Sequence, residues 1–323
     1  MNILVVGGAG YIGSHMVKLL LKEQQHVVTL DDLSCGKREA VLGGEFVETS
    51  LADRLSLQQL FSAHPFDAVM HFASFIQVSE SIADPAKYYR NNVINTLNLL
   101  DTMVEHQVLG IVFSSTAAIY GEPRYVPIDE AHPKQPVNPY GVSKWMVEQI
   151  LADYDRAYGV KSICLRYFNA AGADSDGELG ERHEPETHLI PLVLQAASGR
   201  RSHVTVFGRD YDTPDGTCIR DYIHVQDLCN AHWLALQRLM DRAKSDVFNL
   251  GNDNGFSVQE VIEIASDVTG ANIPVSYGPR RKGDAARLVA DSCKARQTLN
   301  WNPEFDELRT IIAHAWAWEQ KIR

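Results

Sequence analysis

The sequence predicts an α/β fold, with a Rossmann-like, doubly wound parallel sheet followed by a smaller C-terminal α/β domain. In the first half, short β-branched runs alternate with helical patterns, the order that produces parallel strands joined by crossover helices. These strands are nearly continuous apolar runs, as expected where helices cover both faces of a sheet. A glycine-rich turn, GGAGYIG at 7–13, separates the first strand from the first helix. The three observations together favour a doubly wound sheet.

The elements of the first half follow from apolar periodicity and from the residues that begin and end each run. The strands are predicted at 2–6, 26–30, 67–72, 110–115 and 161–167, and the helices at 11–22, 53–63, 84–106 and 139–158. The last helix has the clearest start, because Asn138 can cap it and Pro139 suits the first helical position.

After residue 169 the regular alternation of predicted strands and helices ends. A polar stretch rich in Gly and Glu, AGADSDGELGERHEPETH at 171–188, precedes smaller and irregularly ordered elements. Helices are predicted at 189–198, 226–243, 257–268 and 305–319, and strands at 204–207 and 247–250. We therefore expect a first domain at 1–168 and a second at 169–323, with some exchange of chain between them and a cleft where they meet.

Composition narrows the class of protein. The 323 residues are 45% hydrophobic and 22% charged, which excludes a disordered chain. A net charge of −11 disfavours binding to nucleic acid or to an anionic membrane. No apolar run approaches the roughly 18 residues of a spanning helix. The five cysteines form no CxxC pair, which suits a reducing compartment, so we expect a soluble cytoplasmic protein.

The glycine turn predicts a dinucleotide site. Gly7, Gly10 and Gly13 follow a strand and open a helix, where glycine lets the backbone approach a pyrophosphate at the helix N-terminus. Asp31 ends the second strand, 18 residues after Gly13. A carboxylate there can accept hydrogen bonds from a ribose and would repel a 2′-phosphate, so NAD is favoured over NADP.

A second constellation has the residue types of an acid–base site. Tyr140 and Lys144 stand four residues apart on one predicted helix, so they share a face. An ammonium group beside a phenol stabilises the phenolate and lowers the phenol's pKa toward the range of a general base. Ser114 and Thr116 stand at the carboxyl end of a strand, where ligands bind in such sheets and where a hydroxyl could relay a proton.

The chain resembles the extended short-chain dehydrogenase/reductases and, among them, the UDP-glucose (UDP-galactose) 4-epimerases. The resemblance runs nearly end to end. Its widely shared motifs are GGAGYIGSH (7–15), HFA (71–73), PAKYYRNN (85–92), SSTAAIYG (114–121), NPYGVSK (138–144), LRYFNAAGA (165–173) and HLIPLVL (188–194). FGRDYDTPDGTCIRDYIHVQDL (207–228) and RRKGDAARLVAD (280–291) are more particular to the epimerases.

The resemblance implies a tightly bound NAD, a UDP-hexose substrate and a homodimer formed through helices 84–106 and 139–158. Tyr140 would take the proton of the sugar 4′-hydroxyl while the 4′-hydrogen leaves as hydride to the nicotinamide. The 4-keto sugar would turn and take the hydride back on its other face, so UDP-galactose and UDP-glucose interconvert with no net redox change. Thr116 would bridge the sugar oxygen and Tyr140, and Lys144 would bind the nicotinamide ribose.

Matching positions imply the remaining contacts. For NAD they are Gly7, Gly10, Tyr11, Ile12, Gly13, Asp31, Phe72, Ala73, Asn91, Ser114, Tyr140, Lys144 and Tyr167. For the UDP-sugar they are Thr116, Tyr140, Asn169, His188, Leu189, Phe207, Arg220, Tyr222, Arg281, Asp284 and Leu288. Among these, Arg220 and Arg281 could neutralise the diphosphate by bidentate contacts.

Three positions depart from the pattern of these relatives. Ile76 stands where they often carry a lysine, and Ser50 where many carry an aspartate for the adenine, so the grip on NAD is expected to be weaker. Leu288 stands where members restricted to simple hexoses carry a bulky tyrosine. This smaller residue opens the alternative that UDP-GlcNAc and UDP-GalNAc are substrates.

Two other functions remain as alternatives. A nucleotide-sugar dehydratase or UDP-glucuronate decarboxylase would carry an acidic residue directly after the strand-end hydroxyl, where this chain has Ala117. A non-catalytic NAD-binding protein would have lost the pair Tyr140 and Lys144, which this chain retains. Both alternatives are therefore disfavoured.

Two clusters are interpreted without a cofactor. In HEPETH (183–188), Pro185 interrupts the helix that an HExxH zinc motif requires, so we expect a loop with one diphosphate contact, from His188, and no metal. His314, Trp316 and Trp318 have the spacing of an amphipathic helix that packs or forms an interface.

Overall fold

The computed structural model describes residues 1–281 and 284–322, so Lys282 and Gly283 of the RRKGD motif lie outside the described residues. The strands are β1 (Asn2–Val6), β2 (His26–Asp31), β3 (Glu45–Glu48), β4 (Ala68–His71), β5 (Gly110–Thr116), β6 (Lys161–Tyr167), β7 (Asn169–Ala171), β8 (Val204–Phe207), β9 (Ile219–His224), β10 (Asp246–Leu250), β11 (Gly255–Ser257), β12 (Val275–Gly278) and β13 (Arg287–Leu288). The helices are α1 (Tyr11–Lys22), α2 (Arg54–Ala63), α3 (Val78–Ala83), α4 (Pro85–Tyr88), α5 (Asn95–Glu105), α6 (Pro139–Tyr158), α7 (Leu189–Ala197), α8 (Val225–Met240), α9 (Val258–Thr269), α10 (Cys293–Leu299) and α11 (Leu308–Lys321).

Seven strands form a parallel sheet in the order β10-β6-β5-β4-β1-β2-β3. From β1 the chain adds strands first on one side and then, from β4, on the other. Ligands bind in doubly wound folds at the carboxyl ends of the strands where this order reverses. The predicted fold class is confirmed.

The alternation of strand side chains explains the two apolar layers around this sheet. Ile3 and Val5 of β1 point into one buried cluster, and Leu4 and Val6 point into the other. Helices α1, α8 and α10 supply apolar side chains to the first cluster, and α2, α5 and α6 supply them to the second. Because both faces are covered, the strands carry continuous apolar runs rather than alternating ones.

The second half of the chain contributes to this sheet as well as to its own core. Strand β10 pairs in parallel with β6 and forms one edge of the sheet, and α8 packs against α1. A separate apolar cluster joins α7, α9 and α11 with β8 and β9. The division of the chain at 1–168 and 169–323 stays a prediction.

Helix α6 begins and ends as predicted. The Asn138 side chain accepts a hydrogen bond from the Gly141 amide at 2.9 Å, and Pro139 occupies the first turn. The helix ends at Gly159, whose φ of 77° is the left-handed conformation that glycine adopts at helix C-termini.

The helix predicted at 84–106 is interrupted. It consists of α4, a π-helical turn at Tyr89–Ile94 and α5. Asn92 lies in the π turn, is buried, and bonds the backbone of Phe75 in both directions, from its amide nitrogen to the carbonyl and from the Phe75 amide to its oxygen. The wider turn accommodates a polar contact that apolar periodicity does not reveal.

The sequence pattern did not predict β3, α3, α10 or the small second sheet. In that sheet β9 pairs with β7, β11 and β13. Its strands are two to six residues long, and β9 carries Arg220 and Asp221, so neither alternation nor an apolar run marks it. A third sheet pairs β8 with β12.

We also searched the helices for possible membrane spans. Within 1–281 and 284–322, no helix has both the length and the apolar character to cross a bilayer.

Candidate active site

A cavity of about 990 Å³ opens at the carboxyl ends of the central strands. Gly7, Phe72, Thr116 and Tyr167 line it at or just after the ends of β1, β4, β5 and β6. We call the side formed by these strand ends with α1 and α6 the sheet wall. Residues 178–185 and His188 also line the cavity, and we call the segment 174–188 that contains them the loop wall. The cavity therefore lies at the switch point of the sheet.

The glycine turn is shaped for a close approach of backbone to ligand. Gly7 has a φ of 80°, and Gly10 precedes the first residue of α1. A Cβ added at Gly13 would lie 2.1 Å from the Gly7 carbonyl oxygen, so only glycine fits there. Together with Tyr11 and Ile12 these glycines line the cavity. The cradle fits a pyrophosphate at a helix N-terminus.

Asp31 is buried at the end of β2. Its carboxylate accepts hydrogen bonds from the amides of Ala9 and Leu33, each at 2.9 Å. Burial raises the pKa of this carboxyl, and the two amide donors oppose the rise. Both oxygens keep a further lone pair for a hydroxyl. Residues 33–35 line the cavity, so Asp31 lies at its edge, and the ribose contact stays a prediction.

Tyr140 and Thr116 meet at the cavity. Tyr140 lies in the first turn of α6, Thr116 ends β5, and both line the cavity. Burial raises the pKa of the Tyr140 phenol, and the nearby Thr116 hydroxyl opposes this rise. The phenol and the hydroxyl are thus neighbours at the strand edge, where a substrate oxygen could reach both.

Lys144 lies one turn after Tyr140 and is 3% exposed. Its Nζ donates to the Ser114 carbonyl at 2.8 Å. Burial lowers the pKa of Lys144 to about 7, although Glu148 opposes the shift. Lys144 thus lies beside Tyr140 but bonds the backbone of β5. The predicted lowering of the Tyr140 pKa by this lysine is not seen in the structure, where burial dominates.

A buried chain of hydrogen bonds supports Tyr167. The Ser114 hydroxyl lies near the Tyr167 phenol and opposes the rise in pKa that burial causes there. Ser114 Oγ also lies 3.2 Å from His232 Nε2. His232 Nδ1 lies 2.8 Å from the Leu228 carbonyl, so Nδ1 must carry the proton and Nε2 must accept from Ser114. Burial lowers the pKa of His232 to about 4, which keeps it neutral. Ser114 therefore positions both Tyr167 and Lys144.

Sequence reasoning missed an ion pair behind the sheet wall. Arg166 of β6 makes a bidentate contact with Glu148 of α6, with Nη2 and Oε2 2.6 Å apart, and both side chains are buried. Ser115 also donates to Glu148, and Arg166 donates to the Tyr120 hydroxyl at 3.0 Å. Glu148 follows Lys144 by four residues on the same helix face, and that spacing could have identified it.

Four of the predicted substrate contacts gather at one end of the cavity: Asn169, Arg220, Asp284 and Leu288. Arg220 donates to the carbonyls of Ile219 and Ala285, and its Nη2 lies 3.6 Å from Asp284. The carboxylate nearest in sequence, Asp221, instead accepts from backbone amides. Arg220 is thus fixed in place with its charge at the cavity.

The remaining predicted residues lie away from the lining of this cavity. Asn91 lines a neighbouring groove of about 650 Å³. The Ala73 backbone packs against Gly7 of the glycine turn, and Ser114 is buried. Tyr222 is buried in an apolar cluster, against which Leu189 packs. The Arg281 guanidinium lies 4.0 Å from the centre of the Phe207 ring. Contacts of these residues with a ligand stay predictions.

Ion pairs hold the loop wall. Lys18 of α1 contacts Asp174, Asp176 and Glu178 at 2.7, 2.9 and 2.8 Å. The Tyr11 hydroxyl donates to the Gly172 carbonyl at 2.7 Å. Helix α1 is thereby tied directly to the loop wall.

The HEPETH segment forms a cluster on the loop wall. Burial alone would lower the pKa of His183 and His188, but the carboxylates of Glu181 and Glu186 raise it to about 9 and about 10. The two imidazoles in turn lower the pKa of Glu186. His188 lines the cavity as predicted for a substrate contact. Glu181 had no motif to mark it, because it precedes the segment and contacts it only through the fold.

A family model described as the NAD dependent epimerase/dehydratase family matches residues 3–251. The chain belongs to this family. It is similar to the UDP-glucose 4-epimerase of Halalkalibacterium halodurans, with 51% identity over 321 residues that cover 99% of this chain and 96% of the relative.

Solved structures extend the likeness to the fold. One UDP-glucose 4-epimerase matches with a TM-score of 0.98 and 49% identity, covering 99% of this chain and 98% of the other. The UDP-glucose 4-epimerase of Brucella ovis, solved in complex with NAD, matches with a TM-score of 0.96 and 47% identity, covering 98% and 97%.

Proposed function

We propose that this chain is an NAD-dependent UDP-glucose 4-epimerase, which interconverts UDP-galactose and UDP-glucose by inversion at C4 of the sugar. One observation carries the proposal. The phenol of Tyr140, beside Thr116 and with Lys144 one turn away, lines a cavity that also holds the glycine cradle and Arg220. The full-length likeness to curated UDP-glucose 4-epimerases supports the same activity.

Tyr140 moves the proton in this mechanism. It takes the proton of the 4′-hydroxyl and later returns one to the 4′-oxygen, while Thr116 holds that oxygen near the phenol. Because Thr116 Oγ1 also accepts from the Ala118 amide at 3.1 Å, its position is fixed by the turn after β5. A fixed donor–acceptor pair reduces the reorganisation that each proton transfer needs.

The charge around Tyr140 decides how readily it acts as a base. Burial raises the pKa of the phenol in this structure, so positive charge is needed to favour the phenolate. Lys144 supplies one such charge when protonated. When bound, NAD supplies the hydride acceptor at C4 and the positive charge of its oxidised nicotinamide ring.

Arg220 and Asp284 orient the substrate. Arg220 offers its guanidinium to the diphosphate, and Asp284 offers its carboxylate to sugar hydroxyls. Both lie on the cavity lining and belong to the second half of the chain. Residues of the second half of the chain thus hold the substrate against Tyr140 of the first half.

The first test is incubation of the purified protein with UDP-galactose and no added NAD, with UDP-glucose formation as the readout. We expect turnover from retained cofactor. Tyr140→Phe should lose about 10²–10⁴-fold in kcat, the usual contribution of a general base, while NAD content and fold are kept. Tyr158→Phe, an exposed position on the same helix, is the matched control.

The outcomes separate the parts of the proposal. Turnover only after NAD is added means that the chemistry is right and cofactor retention is weak, with Ile76 and Ser50 as the first positions to restore. Near-normal activity of Tyr140→Phe would remove the proposed base. Absence of turnover on any UDP-sugar with NAD present would favour a non-catalytic NAD-binding protein.

Leu288 supports a second substrate class. It lines the cavity in partly buried contact with the cluster of Ile119, Tyr120 and Ile128. A leucine leaves more room than a tyrosine for a 2-acetamido group, so UDP-GlcNAc and UDP-GalNAc are the next substrates to assay. Leu288→Tyr should then reduce turnover of the N-acetylated sugars more than that of UDP-galactose.

The proposal extends to assembly and compartment. We expect a homodimer through α6 and the helical segment 85–105, because Met146 and Ile94 on these helices are 43% and 52% exposed. A cytoplasmic location agrees with Cys35, Cys164, Cys218, Cys229 and Cys293, which are free thiols. Light scattering after size-exclusion chromatography tests the dimer, and Ile94→Asp should dissociate it.

A further inference from the structure

Two histidines and two glutamates converge on the loop wall without the helix of an HExxH motif. Their ligand atoms, from Glu181, His183, Glu186 and His188, all lie within 4.8 Å of one another. His188 Nδ1 lies 2.8 Å from an oxygen of Glu181 and 3.0 Å from one of Glu186. His183 Nδ1 lies 3.1 Å and 3.6 Å from oxygens of the same two residues. Each imidazole nitrogen therefore faces both carboxylates.

Hydrogen bonding alone does not account for this arrangement. A ring nitrogen carries at most one proton, so it can donate well to only one of the two carboxylates it faces. His183 Nδ1 is buried and makes no hydrogen bond of acceptable geometry, even though Glu181 lies 3.1 Å away. This buried nitrogen thus points at two carboxylates without a good hydrogen bond to either, an arrangement that a cation shared by all three groups would satisfy.

The carboxylates are also unusually well buried and fixed. The side chains of Glu181 and Glu186 are 7% and 6% exposed. Glu186 Oε1 accepts from the amides of Thr187 and His188 at 2.7 and 2.8 Å. The Glu181 carbonyl accepts from Trp318 Nε1 at 3.1 Å. Two buried carboxylates this close together need positive charge beside them. A metal ion bound by neutral imidazoles would supply that charge in place of two imidazolium ions.

We propose that Glu181, His183, Glu186 and His188 bind one divalent transition-metal ion of the zinc class. Tetrahedral zinc with bonds of about 2.0–2.2 Å places its ligand atoms roughly 3.3–3.5 Å apart. The observed nitrogen–oxygen distances of 2.8 to 3.6 Å span this value. Imidazole donors select zinc, cobalt or nickel over magnesium and calcium. The two carboxylates neutralise the ion's charge.

The site is structural rather than catalytic. Four protein donors close a tetrahedral site and leave no open position for water or substrate. The ion fixes the segment from Glu181 to His188, and with it one wall of the cavity, although the four donors lie on a loop and not on a helix. The expectation that Pro185 excludes a metal assumed donors on one helix, whereas here a loop brings them together.

The test uses the untagged full-length protein, stripped of metal with a chelator and titrated with Zn²⁺ by calorimetry. We expect one ion per chain, a rise in melting temperature with Zn²⁺, and no competition from Mg²⁺. His183→Gln and Glu186→Gln should each weaken Zn²⁺ binding by more than about 10–100-fold, the loss typical when only an outer-shell partner of a metal ligand is removed. His64→Gln is the matched control, because that imidazole pairs with Glu45 alone.

Circular dichroism and melting without metal establish that each variant is folded, and a variant that fails to fold is replaced by Glu181→Gln. Substitution with Co²⁺ adds a direct readout, since a tetrahedral site gives intense visible absorption. Absence of Zn²⁺ binding by the wild type would overturn the proposal and leave a cluster of ion pairs. Binding that is unchanged in the folded variants would overturn it equally, because the ion would then lie elsewhere.

Discussion

In the sheet wall, charged groups are buried and bond groups on regular strands and helices, whereas the Lys18 cluster of the loop wall joins charged groups that are partly exposed. Lys144 donates to the backbone of β5, and Arg166 is buried against Glu148. Lys18 instead contacts three carboxylates of a loop, two of them mostly exposed. The side that carries Tyr140 and Lys144 is thus fixed by the core, and the attachment of the loop wall to α1 depends on ion pairs that solvent screens.

The largest expected effect comes from the buried pair of the sheet wall. Arg166→Met leaves Glu148 buried without a partner, which should cost about 3–5 kcal/mol of unfolding free energy. Equilibrium urea unfolding measures it. In the double variant with Glu148→Leu, much of this loss should return because no charge remains buried. A cost below about 1 kcal/mol for Arg166→Met would mean that solvent reaches the pair, as it does in the loop wall.

The glycine cradle should come next. Gly13→Ala places a Cβ 2.1 Å from the Gly7 carbonyl oxygen, so the backbone must move, at about 1–3 kcal/mol and with loss of NAD retention. Gly10→Ala is the matched control for stability, since its Cβ would meet the same oxygen at an ordinary 3.4 Å. Melting temperature and bound NAD report the two effects. Equal stability of the two variants would contradict the steric argument.

Lys144 of the sheet wall and Lys18, which holds the loop wall, should differ in how their contribution to the unfolding free energy depends on pH. Burial lowers the pKa of Lys144 to about 7 from 10.5, so between these values the unfolded chain binds more protons and the unfolding free energy rises with pH. Relative to Lys144→Met, the wild type should gain up to about 1.4 kcal/mol per pH unit between pH 7.5 and 9.5.

Lys18 is the control for this slope. Its three carboxylate partners raise its pKa above the ordinary value of 10.5, despite the opposing effect of burial, so Lys18 stays charged throughout the window in both states. Comparison of the wild type with Lys18→Met should therefore show no slope from pH 7.5 to 9.5. Parallel slopes for both lysines would remove the distinction between the walls.

The smallest effect is expected for Lys18 itself. Its side chain is 23% exposed, so Lys18→Met should change the unfolding free energy by about 1 kcal/mol or less, with a difference that shrinks in high salt. Urea unfolding at low and high salt is the measurement. A salt-independent loss of several kcal/mol would show that the loop wall is held as firmly as the sheet wall.

The sequence predicted the regular elements around the central sheet better than the rest of the chain. The central sheet and the shared face of Tyr140 and Lys144 follow from apolar runs, from Asn138 and Pro139 as a helix start, and from four-residue spacing. The second sheet left no such pattern, because Arg220 and Asp221 interrupt β9. The contacts of Glu181 form only when the chain is folded, and the π turn around Asn92 depends on a buried polar contact. Apolar periodicity therefore predicts neither feature.

Strand β10 bears on how the chain is made. Residues 246–250 pair with the free edge of β6, although they follow it in the chain by almost eighty positions. Asn249 of β10 then accepts a hydrogen bond from the Tyr120 hydroxyl and donates one to the Ile128 carbonyl. Until the ribosome has released those residues, the nascent sheet presents an open strand edge, a template for wrong pairing. A fragment stopped at 168 would keep that edge permanently. Expression of residues 1–168 alone is therefore expected to yield aggregates.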